Sequence, residues 1–343
     1  MLDLDSTSGS GIFGLPFKES EAAVVYLPVP WEATVSYGSG ASKGPSSILK
    51  ASAQVDLYDV DVLRPYEAGL HMLPIPREVR SWNKTARAAA LKVIRAGGNV
   101  GGSRRLRQAL DTVNAMSARL NAFVRRRSAE LMAAGKIVGL VGGDHSAPYG
   151  AIQAAIESNA GLGLLHIDAH HDLRRAYEGF VHSHASILYN VLSDFPGASK
   201  LVQVGIRDFS EREAEFAAMQ GSRVAVFYDR DLVRAKFSGR NWAKLCDEIV
   251  AELPQSVWIT FDIDGLDPRF CPNTGTPVPG GLDFNEANFL LGVLARSGRK
   301  IVGFDLNEVS PGRGSDWDAN VGARLLYKLT AWTLASQGRA KLR

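Results

Sequence analysis

Asp168, His170 and Asp172 stand two residues apart at the end of an apolar run, in the stretch LGLLHIDAHHD at 162–172. On extended backbone alternate side chains share a face, so these three are expected to converge on one spot. Two carboxylates and an imidazole gathered in a buried place are costly unless a cation sits among them. A divalent metal ion, or a pair of them, meets that need. Two further stretches offer the same chemistry: GGDHS at 142–146 supplies His145, and FDIDGLDP at 261–268 supplies Asp262 and Asp264. Four carboxylates balance two divalent cations, and a set with only two imidazoles suits Mn²⁺-like ions better than zinc. Paired ions lower the pKa of a shared water and hold hydroxide at neutral pH, so the chemistry implied is hydrolysis without a Ser or Cys nucleophile. Cys246 and Cys271 read as distant from these motifs.

The residues fall where a particular architecture would put them. Apolar runs at 22–28, 137–141, 162–167, 201–206, 224–228, 257–261 and 301–304 read as strands. Helical patterns at 46–53, 84–96, 104–134, 149–158, 212–219, 241–252, 286–296 and 320–336 separate or flank them. From residue 136 onward this is a βαβ rhythm, which predicts an α/β fold with a parallel sheet covered on both faces. Ligand sites of such sheets lie beyond the C-terminal ends of the strands. His145, Asp168, Asp262 and Glu308 each follow a predicted strand, and six of the seven histidines fall between His145 and His184. His166, inside the 162–167 run, is expected to be a satisfied core histidine turned away from the side of Asp168. The Gly/Ser-rich loop at 37–45 has neither phosphate-binding glycine pattern, and reads as a strand-to-helix turn.

Composition narrows the class. The chain has 343 residues, 45 % hydrophobic and 22 % charged, with a formal charge of +3. That charge is too mild to argue for nucleic acid, and the basic clusters at 104–107 and 125–127 fit a solvated helix face. Two widely separated cysteines support neither a disulfide framework nor a Cys-based zinc site. No apolar run approaches the roughly 18 residues of a membrane span. The acidic, polar start does not read as a signal peptide. The expectation is a cytoplasmic protein with a polar N-terminal arm over 1–21 and a single domain over 22–343.

In this order and spacing the motifs resemble the ureohydrolase superfamily of arginases and agmatinases. GGDHS at 142–146, DAHHD at 168–172, FDIDGLDP at 261–268, TGTPVPGG at 274–281 and EVSP at 308–311 carry the likeness, joined by the loop at 37–45. The resemblance implies a three-layer α/β/α arginase-like fold with a central, mainly parallel sheet, and a homo-oligomer, trimer or hexamer. By position it implies that His145, Asp168, Asp172 and Asp262 bind one ion. His170 and Asp264, with Asp168 and Asp262 bridging, would bind the other. Mn²⁺ is the expected metal, with Ni²⁺ as the alternative. Asp172 would orient the bridging hydroxide, and Glu308 would pair with a guanidinium group. His184, preferred over His182, would pass a proton to the leaving amine.

Two departures bear on the substrate. Position 171 is usually a small hydroxyl residue in arginases and agmatinases, whereas DAHHDLR is closer to formimidoylglutamases there. The loop after Asp172 carries Arg174, Arg175, Tyr177 and Glu178 and has no clear grip for an α-amino acid. The expected reaction is therefore cleavage of a small guanidino compound, such as agmatine, guanidinobutyrate or guanidine, to urea and an amine. The alternatives are a formimidoylglutamase releasing formamide, or a catalytically silent metal-binding subunit.

Overall fold

The computed structural model describes residues 11–343. Its strands are β1 (Val24–Pro28), β2 (Val62–Leu63), β3 (Leu70–Met72), β4 (Ile137–Val141), β5 (Leu162–Ile167), β6 (Ala198–Ile206), β7 (Val224–Tyr228), β8 (Ser256–Asp262), β9 (Lys300–Asn307) and β10 (Lys341–Leu342). The helices are α1 (Gly44–Ser52), α2 (Arg77–Ile94), α3 (Arg104–Ala133), α4 (Tyr149–Ser158), α5 (Ile187–Asp194), α6 (Glu211–Met219), α7 (Asp229–Phe237), α8 (Trp242–Ala251), α9 (Phe284–Arg296) and α10 (Trp317–Ser336).

Eight strands form one sheet in the order β3-β1-β4-β9-β8-β5-β6-β7, and each neighbouring pair is parallel. β2 and β10 make a small antiparallel pair apart from it. Strands such as β4 (IVGLV) and β5 (LGLLHI) are buried along their whole length, which is why they read as unbroken apolar runs. On one face lie α2 to α6: Val79, Leu120, Ile152, Val191 and Ala217 share a core with Val25, Leu140 and Trp258. On the other lie α1 and α7 to α10, where Ile48, Leu232, Ile249, Leu290 and Leu326 pack with Tyr26, Val141 and Ile259. The result is the expected α/β/α sandwich.

Local chemistry sets the elements. Along α3 the buried Val113, Leu120, Val124 and Leu131 recur at helical spacing, and the Ser103 hydroxyl accepts from Leu106 N–H to cap its start. At Gly139 of β4 a Cβ would stand 2.7 Å from the Phe304 ring, so the missing side chain lets Tyr26 and Phe304 close the core beneath the site. β3, α5 and α7 had no counterpart in the sequence reading. β3 is three residues long, and α7 (DRDLVRAKF) carries too many charges to show an apolar stripe.

Of the arm expected over 1–21, residues 1–10 lie outside the described residues. The remainder is not solvated throughout: Ile12, Phe13 and Leu15 are buried, with the Phe13 ring against Tyr26 and Tyr327. Among the described residues no helix is long and apolar enough to cross a membrane.

Candidate metal centre

Four adjacent strands deliver the site. β4, β9, β8 and β5 stand side by side, and from their C-terminal ends come His145, Glu308, Asp262 with Asp264, and Asp168 to Asp172. The tight turn after β4 depends on Gly143, where a Cβ would lie 1.7 Å from the Trp31 carbonyl oxygen. His145 follows two residues later, beyond the C-terminal end of β4.

The six residues expected to be ligands fall into two overlapping groups: His145, Asp168, Asp172 and Asp262 form one, and Asp168, His170 and Asp264 the other. Asp168 belongs to both. Asp262, expected to bridge as well, falls in the first group only, and among the described residues its Oδ1 has no hydrogen-bond partner. The convergence itself has a different cause from strand alternation. β5 ends at Ile167, and Asp172 reaches the cluster through a loop in which it adopts φ 54°, in the left-handed region. Glu308 is left-handed too, at φ 60°. Backbone strain of this sort gathers where the surrounding structure fixes a functional geometry.

The imidazole of His145 shows what the cluster requires. The Thr260 hydroxyl donates to Asp305 Oδ1 at 2.7 Å, so toward His145 it must accept, and His145 Nε2, 2.8 Å away, carries the hydrogen. In the neutral ring Nδ1 is then a bare lone pair. It faces Asp172 Oδ2 at 2.6 Å, Asp262 Oδ2 at 3.3 Å and Asp168 Oδ2 at 3.5 Å. A lone pair surrounded by carboxylate oxygens needs a cation between them, either a second proton on the ring or a metal ion. The donor set, with Asp262 Oδ1 and Asp264 Oδ2 both buried without hydrogen-bond partners among the described residues, fits a divalent metal.

The electrostatics agree. Burial alone would push the His145 imidazole down, yet Asp262, Asp168 and Asp172 hold it well above its ordinary range. At His170 burial is likewise outweighed, and Asp264 and Asp168 push it up to about 10. Burial and repulsion from Asp168 raise Asp264 to about 8 and Asp172 to about 6. Burial, Asp144 and Asp264 push the Glu308 carboxyl up as well. Such carboxylates stay together only by sharing positive charge.

A cavity of about 200 Å³ opens onto the cluster. His170, Asp172, Asp262, Asp264 and Glu308 line its floor, with His184 in its wall and Ser36, Tyr37, Arg174, Tyr177, Asp208, Glu213 and Thr276 around them. Glu308 Oε1 accepts the His145 backbone N–H at 3.0 Å, which points the carboxylate into the site. His184 is anchored by Thr34, whose hydroxyl lies 3.1 Å from Nδ1 and accepts the His184 backbone N–H. His182 turns elsewhere, its ring against Tyr149 and its Nδ1 toward Asn190. Arg174 lies over the Tyr177 ring, 5.0 Å from its centroid, and pairs with Glu213, which also closes the first turn of α6.

Two expectations, for His166 and Cys271, need correction. His166 does not turn away: its Nε2 is 2.8 Å from Oδ2 of Asp168, the first residue beyond the end of β5. His171, whose role the sequence leaves open, does not line the cavity; it is buried between Phe209, Tyr228 and Gln203 and adds no ligand to the cluster. Cys271 is not remote: its thiol donates to the Ile263 carbonyl beneath the Asp262–Asp264 loop, a packing role in a buried place. Thr34, Thr260, Gln203 and Asp305, all of which orient site residues, had no motif to reveal them. A lone glutamine in the apolar run LVQVGI was the one visible trace.

Comparison with known proteins places these features. The family model described as "Arginase family" matches residues 22–331. An N(1)-aminopropylagmatine ureohydrolase from Thermus thermophilus is 33 % identical over 310 residues, covering 90 % of this chain and 89 % of the relative. A proclavaminate amidinohydrolase from Streptomyces clavuligerus is 29 % identical, covering 89 % of this chain and 87 % of its own. Among solved structures, the agmatine ureohydrolase of Thermoplasma volcanium superposes with a TM-score of 0.73 at 24 % identity, covering 96 % of each chain, a likeness of fold.

Proposed function

This chain belongs to the arginase family, and from that membership we propose that it hydrolyses the guanidino C–N bond of a small guanidino compound to urea and an amine. The observation that carries the proposal is the crowd of carboxylates around the His145 lone pair, with Glu308 facing the same cavity. His145, Asp168, Asp172 and Asp262 would hold one divalent ion, and His170, Asp168 and Asp264 the other, with the unpartnered Asp262 Oδ1 free to join it. Mn²⁺ is the metal we favour, since oxygen donors outnumber nitrogen. Bound there, the ions supply a water acidic enough to attack at neutral pH.

The chain's own groups do the rest. Glu308, buried and aimed by the His145 N–H, pairs with the planar guanidinium and fixes the carbon to be attacked. Asp172 accepts a hydrogen from the attacking water and so sets its direction. His184 is kept neutral, lowered to about 3 by burial and by the neighbouring His170, His145, Arg174 and Arg87. A neutral imidazole tethered to Thr34 can take the proton released on attack and give it to the leaving nitrogen. His184→Asn is expected to lower turnover by about 10²- to 10⁴-fold with both ions retained. An unchanged rate would remove His184 from the proton transfer.

The relatives' names span tails of different charge, so the panel must as well. Protein stripped of metal and reloaded separately with Mn²⁺ and Ni²⁺ is assayed for urea from agmatine, guanidinobutyrate, arginine and guanidine, and for formamide from formimidoylglutamate. We expect urea from at least one guanidine and none of the formamide, because His171, the residue that pointed to formimidoylglutamate, stays out of the cavity. Silence across the panel with metal bound would overturn the proposal in favour of a non-catalytic subunit. We place the protein in the cytoplasm as a homo-oligomer, following its low cysteine count and its resemblance to the family.

A further inference from the structure

One backbone carbonyl fixes a directional chain of hydrogen bonds that ends on the shared carboxylate. Gln203 lies opposite His166 on the neighbouring strand, in register across β5 and β6. Its Nε2 is 2.9 Å from the His171 carbonyl oxygen, a group that can only accept. The amide nitrogen must therefore face that carbonyl, and the orientation of the Gln203 side chain is settled. Its Oε1 then faces His171 Nδ1 at 2.7 Å, so His171 carries its hydrogen on Nδ1. The second hydrogen of Gln203 Nε2 points at His166 Nδ1, 2.9 Å away, which must accept. His166 consequently carries its hydrogen on Nε2 and donates it to Asp168 Oδ2 at 2.8 Å. Asp168 Oδ1 is fixed from the other side by the His170 backbone N–H at 2.7 Å.

We propose that His171 and Gln203 are positioning residues that set the tautomer of His166, making it a hydrogen-bond donor to Asp168 and not a metal ligand. The inference rests on the metal-centre reading above and decides a point it leaves open. His166 also stands with His145 and Asp168 in a third group whose atoms are close enough to hold an ion. With Nδ1 accepting from Gln203 and Nε2 donating to Asp168, both ring nitrogens of His166 are engaged. It has none to give a metal. The ring instead holds Asp168 Oδ2 where the group around His145 needs it, 3.5 Å from His145 Nδ1. Partners that orient a ligand in this way typically change metal affinity by about 10- to 100-fold when removed. His171, the residue that departs from the small hydroxyl expected there, is the outermost member. Its ring is wedged between Phe209 and Tyr228 at centroid distances of 4.7 and 5.7 Å.

The test measures metal binding itself. Metal-stripped full-length protein is titrated with Mn²⁺ by calorimetry, and X-ray absorption of the reloaded protein counts the imidazoles on each ion. Wild type should bind two ions with a single imidazole on each, from His145 and His170. Gln203→Leu removes the donor to His166 and should weaken one binding step by about 10- to 100-fold. His171→Phe keeps a ring of similar shape but cannot donate, and should weaken the same step. His171→Asn places an amide nitrogen close to the position of Nδ1 and should restore it. If Gln203→Leu does not fold, the two His171 variants decide. A second imidazole on one wild-type ion would overturn the proposal. So would wild-type affinity in both Gln203→Leu and His171→Phe. If wild type binds no Mn²⁺ at all, the metal-centre reading has failed, and not this refinement of it.

Discussion

Asp172→Asn is expected to lower turnover by about 10²- to 10⁴-fold at saturating Mn²⁺, while the melting temperature of the metal-free protein shifts only slightly. The two halves of this expectation have separate grounds. Asparagine is nearly the same size, and it visits the left-handed backbone that Asp172 occupies at φ 54° more readily than most residues, so the loop keeps its course. The variant loses a negative charge 2.6 Å from His145 Nδ1, and the Asn amide has one oxygen in place of two. It therefore weakens as a ligand and no longer orients the attacking water as a carboxylate does. Steady-state urea release beside a thermal melt separates the outcomes. Near-native turnover would remove Asp172 from the chemistry, and a collapsed melt would make it structural.

Glu308→Gln should reduce kcat/KM for the guanidino substrate by about 10²- to 10⁴-fold, in line with the 3–5 kcal/mol typical of leaving one member of a buried ion pair unmatched. The glutamine amide can still accept the His145 N–H that orients Glu308 at 3.0 Å, so metal content should not change. Glu308→Asp supplies the complementary control. It keeps the charge but withdraws it by one methylene, and a displacement of about 1 Å at a positioning group is enough to lose about 10²-fold. Loss in both variants with both ions bound identifies pairing geometry as the role of Glu308. Loss in Glu308→Gln alone would mean that charge suffices. Full activity in both would leave the guanidinium without its partner and overturn the assignment.

The parts that were legible in the sequence share a cause. β4 and β5 occupy the predicted spans 137–141 and 162–167, because a strand buried on both faces admits few polar residues, and β7, half-buried at the sheet edge, occupies 224–228 through its apolar run VAVFY. The convergence of His145, Asp168, Asp262 and Glu308 was legible because each follows such a strand, and parallel strands bring their C-terminal ends to one edge. What remained hidden depends on contacts distant in the chain. Thr34 tethers His184 across 150 positions, and nothing around Thr34 in the sequence marks it. Gln203 is paired to His166 by register, which a single sequence does not print. Phe13 and Ile12 join the core from a stretch whose average polarity suggests an arm.

The interleaved order β4-β9-β8-β5 also governs how the molecule behaves before it is whole. His145, Asp168, Asp262 and Glu308 come from strands that are side by side in space and far apart along the chain. Until β9 takes its place between β4 and β8, His145 is held apart from Asp168 and Asp262, so a partly zipped sheet does not assemble the donor set. Metal ions that select only the finished protein act on folding by mass action: a site filled at a hundred times its dissociation constant adds about 2.7 kcal/mol to the native state. A chain starved of metal would therefore unfold more readily as well as turn over less. Melting temperature against free Mn²⁺ would then trace occupancy without any substrate.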